Sequence, residues 1–191
     1  MKKNMRIGIM LVLCFFAVVG GLYAVGVYVL PDLLDMRVVD DAGNKNVTGS
    51  PLLGKQSPQF NLPDLNGKYI KLSNFSGQPI IIIFWNTWSK ESTDQIKILD
   101  DYIQHSTKES TFLKVIAISS QEDESVIRSF FERGKYDLVT LVDKTGDVST
   151  TYNVKSAPTL YFVDTKGFIR EIYTGMLSEV NIHKKVDNLF Q

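Results

Sequence analysis

Ile80-Ile81-Ile82-Ile83-Phe84-Trp85-Asn86-Thr87-Trp88-Ser89-Lys90-Glu91-Ser92 is the stretch that decides the fold. Its first five residues form an unbroken apolar run rich in β-branched side chains, the pattern of a central strand covered on both faces. Ser89 or Thr87 then offers a side-chain oxygen to the free N–H groups of a helix start. Beyond it Ile96, Leu99 and Ile103 recur at three- and four-residue spacing, which gives one apolar helix face. A buried strand therefore runs straight into an amphipathic helix, with one tryptophan, Trp85, at the strand end and the other, Trp88, in the turn before the helix.

The residues on either side extend the same alternation. Phe112 to Ile118 reads as a second buried strand and Glu124 to Arg133 as a helix stopped by Gly134 in the C′ position. Leu138 to Val142 reads as a short strand, Gly146 to Tyr152 as a helical turn and Thr159 to Val163 as a strand. Asp164-Thr165-Lys166-Gly167 turns the chain into Phe168 to Tyr173, which makes an antiparallel pair. Ser178 opens a last helix with Ile182, Val186, Leu189 and Phe190 on one face. Upstream, Phe60 to Leu62 and Tyr69 to Leu72 flank Asn66-Gly67, the local signal of a type I′ hairpin. The sum is an α/β sandwich: a central mixed sheet with helices on both sides, preceded by an N-terminal β-hairpin.

At 191 residues, 44% hydrophobic and 22% charged, the chain has room for one buried domain and an appendage. The appendage is at the N-terminus. Ile7 to Leu30 is 24 residues without a charge, enough at about 1.5 Å per residue to cross a hydrocarbon core of about 30 Å. Lys2, Lys3 and Arg6 precede it, while Asp32 and Asp35 follow. The positive-inside rule then makes residues 1–6 cytoplasmic, 7–30 a single-pass membrane anchor, 31–56 a linker and 57–191 an extracytoplasmic domain. The competing reading is a cleaved signal peptide, with Ala24-Val25-Gly26 as the small-residue site.

Composition also excludes chemistry. Outside the three N-terminal cations the chain carries 18 basic against 21 acidic residues and no basic stripe, so nucleic acid is not an expected partner. The single thiol is Cys14, inside the apolar stretch. Residues 31–191 can therefore carry no disulfide, thiolate metal site or cysteine nucleophile. His105 and His183 are too isolated to suggest a metal centre, and no cofactor is expected. Glu122-Asp123-Glu124 reads as favourable charge at a helix start, not as metal ligands.

With these elements in this order, the Trp-rich strand end followed by Ser89-Lys90-Glu91-Ser92 resembles the thioredoxin-like family, in its membrane-anchored ResA/TlpA-type (redoxin, AhpC/TSA-like) branch. Phe60-Asn61-Leu62-Pro63-Asp64-Leu65-Asn66-Gly67 and Ala157-Pro158-Thr159 belong to the same resemblance. In that family the segment after the second tryptophan reads Cys-x-x-Cys, and the helix N-terminus lowers the first thiol's pKa so that it attacks disulfides. The resemblance places Ser89 and Ser92 at those two positions. It also implies a cis bond before Pro158, with Trp88, Ala157 and Pro158 forming a groove for an extended polypeptide. Two further departures are Glu91, where a proline commonly stands, and Gln95, where ResA-like members carry a glutamate.

A hydroxyl forms no disulfide, stays protonated near neutral pH and finds no neighbouring base in this motif. No catalytic residue is therefore expected, and the expected function is a redox-inactive binding or accessory module held at the outer membrane surface. Its expected partner is an extracytoplasmic polypeptide or membrane protein. Two alternatives remain open at this level. One is a thiol–disulfide oxidoreductase of cytochrome c maturation or oxidative folding, against which the missing cysteines argue; the other is a structural subunit pairing with an active paralogue. Trp85, at the end of a buried strand, is expected in the core, and Trp88 at the surface.

Overall fold

The computed structural model describes residues 50–105 and 112–190, together with the backbone of 38–39 and 45–46. In chain order the strands are β1 (Val38–Val39), β2 (Lys45–Asn46), β3 (Asn61–Pro63), β4 (Tyr69–Lys71), β5 (Ile80–Trp85), β6 (Lys114–Ser120), β7 (Val139–Asp143), β8 (Thr159–Val163) and β9 (Ile169–Thr174). The helices are α1 (Lys90–His105), α2 (Glu124–Gly134), α3 (Asp147–Thr151) and α4 (Glu179–Asp187). The segments 1–6 and 7–30, read as cytoplasmic end and membrane span, lie outside the described residues. Among the described residues no helix is long and apolar enough to cross a membrane.

Seven strands form one sheet in the order β1-β2-β9-β8-β5-β6-β7. β5, β6 and β7 are parallel, whereas β8 runs antiparallel to β5 and β9 to β8. The sheet is therefore mixed, and the fold is thioredoxin-like α/β. Its edge includes residues of the stretch read as linker, since Lys45 and Asn46 pair with Thr174 and Tyr173. Gly54 and Ile169 continue that attachment, the first donating to the Ile169 carbonyl and the second to that of Lys55.

Alternation along β5 explains why its run is apolar throughout. Ile81, Ile83 and Trp85 face a cluster with Ile96, Leu99, Ile127, Ile182 and Val186, so α1, α2 and α4 all cover that side. Ile80, Ile82 and Phe84 face Phe60, Leu62, Leu72, Tyr152 and Ile169 on the other. Helices lie on both faces, but unequally: among the described residues the second face has the short α3 and a 3₁₀ turn at Leu72–Phe75 beside the hairpin β3–β4. The cause is topological. Two successive parallel crossovers step in the same direction across the sheet and, being right-handed, place α1 and α2 on one side.

Several boundaries differ from the sequence reading. Phe112, expected to open the second strand, precedes β6 and is 66% exposed. Phe190 is 44% exposed because the chain tightens into a 3₁₀ turn after Asp187, which leaves Leu189 as the buried residue. The left-handed residue after α2 is Lys135, with φ 56°, and not Gly134. Gly134 is needed for a different reason, since a Cβ there would collide with the Tyr136 ring.

The hairpin turn also departs from type I′. Gly67 has a positive φ and Asn66 does not. Gly67 N–H donates to the Asp64 carbonyl at 3.0 Å, and Asp64 N–H to that of Lys68 at 2.8 Å. This is a three-residue loop with a glycine bulge, organised by Asp64 Oδ1, which accepts from the N–H groups of Asn66 and Lys68. Asp164 to Phe168 repeats the arrangement with Gly167 in the left-handed place.

Candidate functional site

The end of β5 becomes a site because the backbone leaves the sheet before the helix starts. Asn86, buried, accepts the Ser89 N–H on Oδ1 at 3.1 Å and folds the turn back on itself. Ser89 is then the helix cap: its carbonyl accepts from Thr93 N–H at 3.0 Å and its Oγ from Ser92 N–H at 3.3 Å. Thr87, the other candidate cap, is occupied elsewhere. Ser92 is fully buried, and its Oγ has no hydrogen-bond partner among the described residues.

The two tryptophans separate as expected. Trp85 is 2% exposed and packs against Phe130 and Phe131 at 5.1 and 5.6 Å between ring centroids. Trp88 is 79% exposed. Across the sheet, Phe84 pairs with Thr159, which brings the Ala157–Pro158 peptide beside the turn. That peptide is cis. An open cavity of about 350 Å3 lies between the two segments, with Asn86, Trp88, Gln121, Ser149, Lys155 and Ala157 among its walls. Pro158 is buried behind it, and its carbonyl accepts from Gly175 N–H at 2.9 Å. Trp88 and Ala157 thus line one cavity at this end of the sheet, while Ser89 and Pro158 are not among its walls.

Three residues around these segments were given no role there by the sequence reading. Met176, 41% exposed, sits between Gly175, which bonds to Pro158, and Leu177, which bonds to Gln95. Glu122 does not serve the start of α2: it accepts from Thr87 N–H, Thr87 Oγ1 and Ser119 Oγ, and so spans the ends of β5 and β6. Asp143, buried, accepts from the N–H groups of Gly146 and Ser149 and from Ser149 Oγ, which fixes α3 as a wall of the cavity. Asp123 is the cap of α2, and the Ser125 N–H and hydroxyl hold its carboxyl below the usual range.

Chemically, neither the Ser89 nor the Ser92 hydroxyl has a base in hydrogen-bonding contact among the described residues. Ser89 Oγ bonds to a backbone N–H and to no imidazole or carboxylate. His105 closes the far end of α1, and the His183 ring lies on Tyr102 at 4.7 Å. Among the described residues no group of three or more His, Cys, Asp or Glu is placed to hold a metal ion. A larger cavity, about 680 Å3, opens between the hairpin and α2, walled by Leu65, Tyr69, Phe75, Phe131 and Tyr136. No residue of the 86–92 turn lines it.

The family description AhpC/TSA matches residues 53–172 of the chain. Thioredoxin-like protein YneN of Bacillus subtilis is 28% identical over 134 residues, covering 70% of this chain and 78% of that protein. Thiol-disulfide oxidoreductase ResA of Bacillus thuringiensis is 30% identical over 122 residues, 63% of this chain and 69% of its own. Among solved structures, a thiol:disulfide interchange protein of the thioredoxin family from Chlorobium tepidum superposes with a TM-score of 0.64 at 16% identity, covering 73% of this chain and 99% of that one. The last likeness concerns the fold alone.

Proposed function

The chain belongs to the AhpC/TSA family, in its thioredoxin-like, ResA-like thiol–disulfide oxidoreductase group, and from that premise we propose that it is a member without the redox reaction. In this reading it is anchored by residues 7–30, holds its domain outside the cytoplasm and uses the groove at Trp88, Ala157 and Pro158 to bind an extracytoplasmic polypeptide. The observation that carries the proposal is Ser89 as the cap of α1, with Ser92 buried one turn on. These are the positions at which the resemblance puts the two cysteines of the family's redox motif. Oxygen at both supports a retained shape and a lost reaction: serine caps a helix well, but it neither ionises near neutral pH nor forms a reversible bond to sulfur.

Exposure of Trp88 beside an open cavity that Ala157 also lines supports the binding half of the reading. A large, rigid aromatic side chain is the residue type that anchors protein contacts at low entropic cost. The test is a photo-crosslinking amino acid in place of Trp88 in membranes holding the full chain, with Val126 on α2 as the control position. Capture of a polypeptide from position 88 above the control supports the groove. Equal yields from the two positions remove it.

A further inference from the structure

Trp88 stands out from the surface with no ring contact or hydrogen bond of its own side chain among the described residues. Its direction must therefore be set through the backbone, and the residue before it is held from a distance. Thr87 N–H lies 3.1 Å from both carboxylate oxygens of Glu122, and Thr87 Oγ1 donates to Oε1 at 2.6 Å. Ser119 Oγ donates to Oε2 at 2.6 Å, which fixes the carboxylate from the β6 side. Bonds to an ionised acceptor are the strong ones, and here three donors converge on one group.

Glu122 reaches back because the residue before it is bent. Gln121 has φ 56°, a left-handed conformation that a residue with a side chain adopts only where its surroundings hold it. Its N–H donates to the Asp143 carbonyl at 3.0 Å and its Nε2 to that of Thr145 at 3.4 Å. The strand end, the bent glutamine and the carboxylate thus form a chain of contacts from β7 to the turn that presents Trp88.

We infer that Glu122 is the positioning residue of the groove: through Thr87 it fixes the turn so that Trp88 is presented in one orientation before any partner arrives. The inference rests on reading Trp88 as the contact residue. It adds that the contact is preorganised, which removes part of the ordering cost of binding.

Trp85 and Trp88 are the two tryptophans of the chain, one buried and one exposed, so intrinsic fluorescence reads the inference directly. In the full chain in detergent, Glu122→Gln and Thr87→Val are expected to raise the amplitude of the fast component of tryptophan anisotropy decay. The double variant should rise no further than either single one, because both remove the same coupling. Thr87→Ser, which keeps the hydroxyl, should match the wild type, and Ser119→Ala, which frees one side of the carboxylate but leaves Thr87 bonded to it, should give a smaller rise than Thr87→Val. Should Glu122→Gln fail to fold, Thr87→Val with Thr87→Ser decides the matter alone. A wild-type decay in Thr87→Val, or an equal rise in Ser119→Ala, overturns the inference. No partner enters the measurement, so an absent crosslink from position 88 would sink the groove reading without touching this result.

Discussion

Gln95, buried in the second turn of α1, accepts the backbone N–H of Leu177 on Oε1 and so joins the helix that opens at Ser89 to the loop that closes on Pro158. Gln95→Leu leaves that buried N–H without an acceptor and should cost about 1–3 kcal/mol in urea unfolding. Gln95→Glu keeps the acceptor but buries an ionisable group, whose folded pKa must rise above its unfolded value of about 4.3. Such a variant is most stable below that pH and loses stability as pH rises toward the folded pKa, because the folded state then binds the extra proton. A Gln95→Glu variant whose stability tracks the wild type from pH 4 to 8 would show that the position is not desolvated.

The tryptophans should respond in opposite ways. Trp85→Ala removes a ring packed between Phe130 and Phe131 and is expected to cost about 3–5 kcal/mol. Trp88→Ala should change stability by no more than about 0.5 kcal/mol. Thermal unfolding of the two variants checks both values.

Asp164 gives an acid-side effect of definite sign. Burial alone would raise its pKa, but the Phe168 N–H, the Arg170 guanidinium and the Lys166 N–H together hold it below the usual carboxylate range. A depressed carboxylate contributes stability that is present above its unfolded pKa of about 3.9 and lost as pH falls through the folded value. Asp164→Asn keeps an acceptor for the two N–H groups and gives up the ion pair with Arg170. Its unfolding curve should therefore approach that of the wild type as pH is lowered toward 2. A gap that stays constant with pH would contradict this assignment.

Much of the fold was legible because its periodicities are strong and local. The apolar run of β5, the three- and four-residue spacing in α1 and the turn at Asp164 each depend on neighbours in sequence. Asn66-Gly67 misled over turn type, because the loop is organised by the carboxylate of Asp64 and not by the Asn-Gly pair. Glu122 was read as a helix-start charge for a related reason: its partner Thr87 lies 35 residues away, and no pattern within one element records such a contact. Met176 escaped notice because a lone methionine after a strand looks like any loop residue until Pro158 and Gln95 are seen on either side of it. The reading of 7–30 as a membrane anchor falls outside the described residues and rests on the sequence alone.

Ser89→Cys tests whether the helix start keeps its electrostatics. A thiol placed there meets the N–H groups and dipole of the first turn of α1, and its pKa should fall below the ordinary value of about 8.5. The pH dependence of iodoacetamide alkylation reads this, with denatured protein as the reference. A midpoint equal to the denatured one would show that the turn no longer activates a nucleophile.

The most direct measurement is catalysed reduction of insulin disulfides by the purified full-length protein, with dithiothreitol as electron donor. The account predicts a rate equal to the donor alone, because neither Ser89 nor Ser92 can form a mixed disulfide. Turnover above that background, retained when Cys14 is replaced by serine, would contradict it.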